Sequence, residues 1–325
     1  MTEPAELAAA LMQVLAPVLG AEVSVTGLSR MPGGSSRDTW SFVATEAAGT
    51  AHRLVLRRDP SGAPASGIAL EADLLRAAAA AGVPVPELLA SGDATSAVGS
   101  AFVVMRHVEG ETLPKRVLRQ IAHDGSGPAL AAQCGSILAG VHSIDPAAVP
   151  GLPGGDPLEQ LRGLIDLLGQ PHPAFELAMR HLAARRPVRG RRVVVHGDFR
   201  MGNFIVGPEG VRAVLDWELA HAGDPLEDLG WLCVKAWRFG SPLPVGGMAQ
   251  RHHLVDAYET AAGVAVDLDA LHWWEMLGTL RWGVICIVQA MTHLRGAVHS
   301  VELAAIGRRV CEVEWDLLEM LERPA

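Results

Sequence analysis

Hydrophobic and polar residues alternate in three stretches near the amino terminus, and a spacing of two residues predicts β-strands. The three strands are expected at residues 21–30, 39–46 and 51–58. Helical spacing instead predicts amphipathic helices over residues 2–19 and 67–82. Two more strand-like pieces follow before Gly110. This part of the chain is therefore predicted to form a mostly antiparallel, five-stranded sheet with one long helix inserted after the third strand.

Beyond Gly110 the hydrophobic pattern becomes helical over most of the remaining chain. Helices are expected at residues 128–143, 156–169, 173–186, 225–238, 247–262, 268–296 and 301–322. The exception is 193–217, where VVVH, FIVG and VRAVLDW predict three short strands. The fold class expected is α+β, with an amino-terminal lobe over residues 1–108 and a mainly helical lobe over residues 109–325.

Composition narrows the class of protein. The net charge of −9 argues against a nucleic-acid-binding surface, which is normally basic. The four cysteines form no CxxC pair, which disfavours structural zinc and disulfides and fits a reducing cytoplasm. The amino terminus carries acids where a signal peptide has basic residues, and the longest apolar run, 282–291, is too short for a bilayer. A cytoplasmic protein without nucleic-acid or membrane partners is expected.

Polar residues interrupt the three short strands at their ends. Asp198 follows the first strand, Asn203 precedes the second, and Asp216 follows the third. Carboxylate and amide oxygens are the hard ligands that Mg²⁺ prefers. The spacing therefore predicts a magnesium site formed by some of these side chains.

Two other interpretations of the same stretch stay open at this point. One is a hydrolytic metal site that uses His196, Asp198, His221 and Asp224. The other is purely structural, with His196 supporting a turn while Asp198 and Asn203 cap backbone groups. The structural interpretation suits any one residue better than it suits all of them together.

The motif HGDFRMGN at residues 196–203 resembles the HxDxxxxN catalytic loop of the protein-kinase-like fold. Glycine after the histidine is typical of the aminoglycoside phosphotransferase and choline kinase branch. Asp216-Trp217-Glu218 resembles the DFG segment of protein kinases, and PGGSSRD resembles their nucleotide-covering loop. The similarity spans about residues 21–240. It is greatest to bacterial phosphotransferases that resemble the kinase-like domain fused to some acyl-CoA dehydrogenases.

This resemblance implies ATP and Mg²⁺ as cofactors and assigns a role to each candidate residue. Asp198 would accept the proton of an attacking hydroxyl, and Asn203 and Asp216 would hold magnesium. Arg57, paired with Glu71, would bind phosphates. Strand alternation alone does not decide whether Arg57 or Arg58 faces the phosphates, and the resemblance favours Arg57. The remaining expected nucleotide contacts are the backbone of Gly33, Gly34 and Ser35 over the phosphates, and the backbone of Met105, Arg106 and His107 at the adenine.

Two further acids, Asp224 and Asp228, are expected to be structural, as a helix cap and as a support for the catalytic loop. Only seven residues separate Asp216 from Asp224, which leaves no room for a long activation loop and favours small-molecule acceptors. Residues 231–300 hold five acids, five bases and five tryptophans. Aminoglycoside kinases should show an excess of acids there.

The even balance of charges, together with the tryptophans, favours a neutral or anionic, partly apolar acceptor of the phosphoryl group. The resemblance to the subgroup related to acyl-CoA dehydrogenase-fused domains implies that this acceptor is a hydroxyacyl or hydroxyacyl-CoA compound. An aminoglycoside kinase is the alternative, and a nucleotide-binding pseudokinase or regulatory module is a further one. The oligomeric state is left open.

Overall fold

A computed structural model describes residues 3–31, 37–59, 67–188 and 190–322. The chain forms two compact units. Unit 1 comprises Met1–Gly110, Ala147–Leu152 and Ile205–Glu218, and unit 2 comprises Glu111–Pro146, Pro153–Phe204 and Leu219–Ala325. The division expected after residue 108 stays a prediction.

Unit 1 is built on a five-stranded antiparallel sheet, which confirms the predicted fold class. Its strands are β1 (Ser24–Arg30), β2 (Asp38–Thr45), β3 (Ala51–Arg58), β4 (Leu88–Gly92) and β5 (Phe102–Arg106). Their order is β1-β2-β3-β5-β4, so β3 lies in the middle. Every strand pair in the sheet is antiparallel.

Two helices accompany this sheet: α1 (Glu3–Leu19) and α2 (Ile68–Ala80). Leu11 and Leu15 of α1 are fully buried and pack in one cluster with Phe42 of β2 and Leu54 and Leu56 of β3. Because alternate residues of a strand point to opposite faces, this packing fixes one face of β3 as the core face.

Unit 2 is mainly helical. Its helices are α3 (Pro114–Asp124), α4 (Gly127–Val141), α5 (Pro157–Leu168), α6 (Pro173–Ala184), α7 (Leu226–Cys233), α8 (Arg251–Ala262), α9 (Leu268–Leu294), α10 (Val301–Gly307) and α11 (Val310–Glu322). The long helix α9 supplies much of one core cluster, which also includes buried side chains of α5, α6 and α11. In the described parts of the chain, no helix has the length and apolar character that crossing a membrane would require.

Several predicted helix boundaries are wrong. Helix α3 was missed, because only Val117 and Ile121 on it are buried. The helix expected at 225–238 ends at Cys233, since the Arg238 guanidinium donates to the Cys233 carbonyl at 2.7 and 3.1 Å and the chain continues as a 3₁₀ turn. The helix expected at 301–322 divides into α10 and α11. At Gly307 a side-chain carbon would lie 2.4 Å from Ala290 of α9.

The predicted strands in 193–217 exist, but they belong to two separate pairs. Strands β7 (Phe204–Gly207) and β8 (Gly210–Val214) form a hairpin. Strand β6 (Val193–Val195) instead pairs antiparallel with β9 (His221–Gly223), which the sequence pattern did not predict. Asp198 and Asp216 therefore follow strands of different sheets.

Candidate functional site

In unit 1, Arg57 is held on the face of β3 opposite the core. Its Nη1 donates to Glu71 of α2, and its Nη2 lies 3.2 Å from Oδ1 of Asp216. Arg58 shares the core face instead, where it lies 3.7 Å from Asp38 and over the Trp40 ring. Arg57 is therefore the arginine that faces Glu71.

Glu71 has a second arginine partner that sequence reasoning missed. Arg37 precedes β2, and its Nη1 donates to the other carboxylate oxygen of Glu71. Arg37 and Glu71 are both nearly inaccessible to solvent. Burial raises the pKa of Glu71, and the charges of Arg57 and Arg37 oppose that rise. The only sequence signal for Arg37 was its place between the glycine-rich segment and a strand.

Asp216 adopts a left-handed backbone conformation directly after β8. Its φ is 65°, which is uncommon for a residue other than glycine but tolerated by aspartate. Its side chain is about one-third exposed, at 36%. Sparsely populated backbone conformations of this kind cluster at functional sites, because the surrounding structure must hold them in place.

The predicted nucleotide contacts at Gly33, Gly34 and Ser35 lie outside the described residues, and those at Met105, Arg106 and His107 lie at the end of β5. The backbone N–H of Arg106 donates to Glu87 and that of His107 donates to Arg53, both at 2.9 Å. An adenine bound here would therefore have to use a carbonyl of this segment or a neighbouring N–H.

In unit 2 the loop after β6 is held by Asp228 of α7. The two carboxylate oxygens of Asp228 accept the N–H groups of His196 at 2.8 Å and Gly197 at 2.9 Å. Burial alone would raise the pKa of Asp228, but His142 and the N–H of His196 outweigh burial and lower it. Gly197 has φ 78°, and a side-chain carbon there would lie 2.4 Å from the Leu219 carbonyl. Asp228 is the loop support that the sequence predicted.

Asp198 itself is positioned by three side-chain donors. Its Oδ1 accepts the Trp231 indole N–H at 2.8 Å and Nε of Arg200 at 2.9 Å. Its Oδ2 accepts Nδ2 of Asn203 at 2.5 Å. Arg200 and Trp231 were not among the predicted site residues. Arg200 was visible within the HGDFRMGN motif, whereas Trp231 lies 33 positions later and gave no signal.

The side-chain amide of Asn203 has only one orientation that fits its neighbours. Its Nδ2 lies 2.9 Å from the carbonyl oxygen of Asp198 and 2.5 Å from Oδ2 of the same residue, and both of these atoms are acceptors. The amide nitrogen must therefore face Asp198, so the amide oxygen faces away from it. An outward amide oxygen is the atom that a magnesium ion would need.

The alternative metal site with two histidines does not form. His196 Nδ1 accepts the N–H of Asp198 at 3.2 Å, and His221 pairs with Glu227 at 3.0 Å. Asp224 caps α7 by accepting the N–H of Leu226 at 3.0 Å, as predicted. Among the residues that the structure describes, no group of three or more histidine, cysteine or acidic side chains could hold a metal ion.

A cavity of about 430 Å³ lies in unit 2 between α3, the start of α4 and residues 241–253. Apolar side chains such as Leu118, Ile121 and Met248 form most of its wall. The first residue of α3, Pro114, lies beside the catalytic loop, since a side-chain carbon on Gly202 would be 3.8 Å from the proline ring. Leu118 follows Pro114 by about one helical turn, roughly 6 Å along the axis.

A five-stranded sheet with an arginine–glutamate pair between β3 and α2, together with an HGDxxxxN loop held by a buried aspartate, defines a kinase-like phosphotransferase. The chain belongs to the phosphotransferase enzyme family, whose sequence profile matches residues 27–274.

Curated relatives include mouse acyl-CoA dehydrogenase family member 10, which is 31% identical over 210 residues, covering 59% of this chain and 19% of that protein. Human acyl-CoA dehydrogenase family member 11 is 31% identical over 193 residues, covering 54% of this chain and 24% of that protein. The chain thus spans about a quarter or less of these relatives.

Solved structures share the fold. An aminoglycoside phosphotransferase candidate from Ralstonia eutropha JMP134 superposes with a TM-score of 0.73 at 22% identity, covering 96% of this chain and 98% of that chain. A choline/ethanolamine kinase family protein from Mesorhizobium loti superposes with a TM-score of 0.65 at 22% identity, covering 97% of this chain and 94% of that chain. An APH(4)-Ia aminoglycoside phosphotransferase variant, solved with AMP-PNP and hygromycin B, superposes with a TM-score of 0.60 at 18% identity. The match covers 94% of this chain and 98% of that chain. The predicted family and fold are confirmed.

Proposed function

We propose that this phosphotransferase is an ATP-dependent kinase for a hydroxyl group on a neutral or anionic, partly apolar metabolite. The acceptor class favoured is a hydroxyacyl or hydroxyacyl-CoA compound. The single observation that carries the proposal is the buried carboxylate of Asp198, which is oriented by three donors at the end of β6.

Asp198 would act as the base for the acceptor hydroxyl. The acceptor oxygen forms a bond to the γ-phosphorus, the bond from that phosphorus to the β-phosphate bridging oxygen breaks, and ADP leaves with the electron pair. The hydroxyl proton passes to Asp198. General-base catalysis of this type typically contributes about 10²- to 10⁴-fold to the rate.

Asn203 and Asp216 remain the proposed magnesium ligands. Asn203 suits the role because its amide oxygen is turned away from Asp198. Asp216 suits it because its carboxylate is partly exposed and bonded to one arginine. A bound Mg²⁺ ion would supply neutralisation of phosphate charge. Arg57 would add a guanidinium, whose planar fork of donors suits phosphate oxygens.

The proposed acceptor class is supported first by the charges of unit 2. Glu275 is buried and accepts from both Arg238 at 2.8 Å and Arg251 at 2.5 Å. Glu227 similarly accepts from Arg281 at 3.0 Å. These acids are already neutralised by arginines, whereas a polycationic aminoglycoside would be recognised by acids with charge to spare.

The apolar cavity beside α3 gives a second line of support. Its wall of aliphatic side chains begins about one helical turn from the catalytic loop. Burial of a methylene group contributes about 0.8 kcal/mol, so a wall of this kind would favour an acceptor with an aliphatic part. A polar sugar acceptor would gain nothing from it.

The test is a coupled assay of ADP release with a panel of hydroxyacyl-CoAs, free hydroxy acids, choline analogues and aminoglycosides. We expect turnover with a hydroxyacyl compound and a loss of at least about 100-fold in kcat for Asp198→Ala. Asp166→Asn, an exposed acid of α5, is the matched control and should retain full activity.

Strong turnover with an aminoglycoside would instead overturn the proposed acceptor class and leave the kinase assignment standing. ATP binding without turnover of any hydroxyl acceptor, equal in wild type and Asp198→Ala, would favour a regulatory nucleotide-binding module.

A further inference from the structure

We infer that Trp231 is a positioning residue for the phosphoryl transfer, because its indole N–H fixes the orientation of the Asp198 carboxylate. This inference rests on the proposed function, in which Asp198 takes the proton of the acceptor hydroxyl. Nothing in the HGDFRMGN motif points to Trp231, which lies on a helix that follows the loop along the chain.

The hydrogen bonds to Asp198 distinguish its two carboxylate oxygens. A carboxylate offers about two acceptor positions on each oxygen. Oδ1 fills both of them, with the Trp231 indole at 2.8 Å and Nε of Arg200 at 2.9 Å. Among the residues that the structure describes, Oδ2 accepts only Nδ2 of Asn203. Oδ2 is therefore the oxygen that has a position left for the acceptor hydroxyl.

The indole of Trp231 is held by packing on all sides. It is 2% exposed, the Arg281 guanidinium lies 5.1 Å from its centre, and the Trp237 ring lies 5.1 Å away at 53°. Arg281 is itself fixed by Glu227. The direction of the indole N–H is thus set before any acceptor binds, and preorganised donors of this kind need no rearrangement during the reaction.

Two glycines let α7 approach α9 closely enough to place this indole. A side-chain carbon on Gly230 would lie 2.8 Å from the backbone nitrogen of Glu275, and one on Gly278 would lie 3.3 Å from the Trp231 ring. Distances this short exclude any side chain at Gly230 without a shift of the helix. The close helix contact therefore determines where Trp231 lies.

Trp231 and Asp228 act from the same face of α7. They are three residues apart, and residues at that spacing are neighbours on a helix surface. Asp228 holds the loop backbone through the N–H groups of His196 and Gly197, while Trp231 holds the Asp198 side chain. One helix face thus fixes both the backbone and the reactive carboxylate of the loop.

The experiment compares Trp231→Phe with Trp274→Phe. Phenylalanine keeps an aromatic ring and removes only the ring N–H and some volume. Trp274 is a matched control: it is buried near the same helix contact, and within the described residues its indole nitrogen has no hydrogen-bond acceptor. We expect kcat to fall about tenfold in Trp231→Phe with both KM values within about twofold, and to stay unchanged in Trp274→Phe.

A second measurement separates positioning from folding. In Asp198→Ala, single-turnover rates should be the same with and without Trp231→Phe, because a residue that acts only through Asp198 has nothing left to act on. In a ¹⁵N-labelled protein, the indole N–H resonance of Trp231 should shift and lose exchange protection on Asp198→Ala, while that of Trp274 stays in place.

The outcomes separate the two proposals. A large loss in Asp198→Ala with full activity in Trp231→Phe would overturn the role of Trp231 and leave the proposed function standing. An additional loss from Trp231→Phe in the Asp198→Ala background would also overturn it, since it shows a structural effect. An unchanged rate in Asp198→Ala would overturn the proposed function, and the role of Trp231 with it.

Discussion

Each of the two units holds a carboxylate that the phosphotransferase assignment needs, and each unit holds it in a different way. In unit 1, Glu71 is buried between the guanidinium groups of Arg37 and Arg57. In unit 2, Asp198 accepts from an indole, an amide and one arginine, and its loop is held by the uncharged N–H groups that Asp228 accepts. Glu71 therefore holds two arginine side chains in place, whereas Asp198 is itself held in place by its hydrogen-bond donors.

This difference between Glu71 and Asp198 agrees with their proposed roles in phosphoryl transfer. In the proposed function, Arg57 presents positive charge to the phosphates, and its buried carboxylate partner Glu71 keeps the guanidinium in place. In the proposed function, Asp198 receives a proton; its donors among the described residues are directional and leave one carboxylate oxygen with an unfilled acceptor position. Substitutions in unit 1 and in unit 2 should therefore change different quantities, namely the KM for ATP in unit 1 and the free energy of unfolding in unit 2. Four predictions test that contrast.

The largest effect is expected from Asp228→Ala. This change leaves the N–H groups of His196 and Gly197 and the ring of His142 without their shared acceptor in a fully buried position. The free energy of unfolding should fall by about 3 to 5 kcal/mol, measured by urea denaturation. Asp166→Asn should change it by less than about 0.5 kcal/mol. An equally small change in both would contradict the supporting role of Asp228.

The lowered pKa of Asp228 also gives this stabilisation a pH dependence. A group whose pKa is lower in the folded state stabilises above its unfolded pKa and loses that contribution as the pH falls through its folded pKa. The difference in unfolding free energy between wild type and Asp228→Ala should therefore shrink in acid below about pH 4, the ordinary range of aspartate.

Unit 1 supplies the second prediction, in which neighbouring arginines of β3 are compared. Arg57→Ala should raise the KM for ATP about tenfold, because its guanidinium faces Glu71 and Asp216. Arg58→Ala should leave that KM within about twofold, since Arg58 lies on the core face beside Asp38 and Trp40. ADP release at varied ATP concentration measures both. A larger rise in the KM for ATP in Arg58→Ala than in Arg57→Ala would contradict the assignment of Arg57 to the face opposite the core.

A smaller effect is expected from Asp224→Ala. Asp224 caps α7 by accepting the N–H of Leu226, and it also accepts the N–H of Gly190. Loss of a helix cap typically costs about 1 kcal/mol of stability. Urea denaturation should show that loss with little change in kcat, whereas a loss of kcat as large as in Asp198→Ala would imply a catalytic role.

The smallest effect is expected from the pH dependence of His221. Burial alone would lower the pKa of His221, but the Glu227 carboxylate outweighs burial and raises it above the ordinary value. A raised pKa stabilises the folded state below the unfolded pKa, and the contribution disappears as the pH rises through the folded pKa. His221→Gln should therefore cost more stability at pH 6 than at pH 8.5, by under about 1 kcal/mol. Equal losses at the two pH values would contradict the pairing.

Motif and periodicity were sufficient to predict the family, the five-stranded sheet and the support of the catalytic loop by Asp228. The sheet depends on local spacing, such as the two-residue alternation of β3, although that alternation did not decide between Arg57 and Arg58. The support by Asp228, 32 residues from His196, followed from the kinase-like motif and not from local spacing. Arg37 and Trp231 were not predicted, because no motif links them to their partners, which lie 34 and 33 residues away. Tertiary packing, such as the close approach at Gly230, determines those contacts.

The spacing of hydrophobic residues also failed to predict helix ends and short strands that depend on long-range contacts. The predicted helix over 225–238 is interrupted because the Arg238 side chain bonds the carbonyl of Cys233, which helical periodicity cannot register. Strand β9 was missed because three residues, His221–Gly223, show too little alternation to be recognised. Its pairing with β6 exists only in the folded chain.

The proposed function requires Asp198 for transfer of a phosphoryl group to the hydroxyl of an acyl-type metabolite. Mass spectrometry of a hydroxyacyl-CoA incubated with ATP, Mg²⁺ and the protein tests this most directly. We expect a phosphorylated acceptor with the wild type and with Asp166→Asn, and at least about 100-fold less of it with Asp198→Ala. Equal amounts of phosphorylated product from wild type and Asp198→Ala would contradict it.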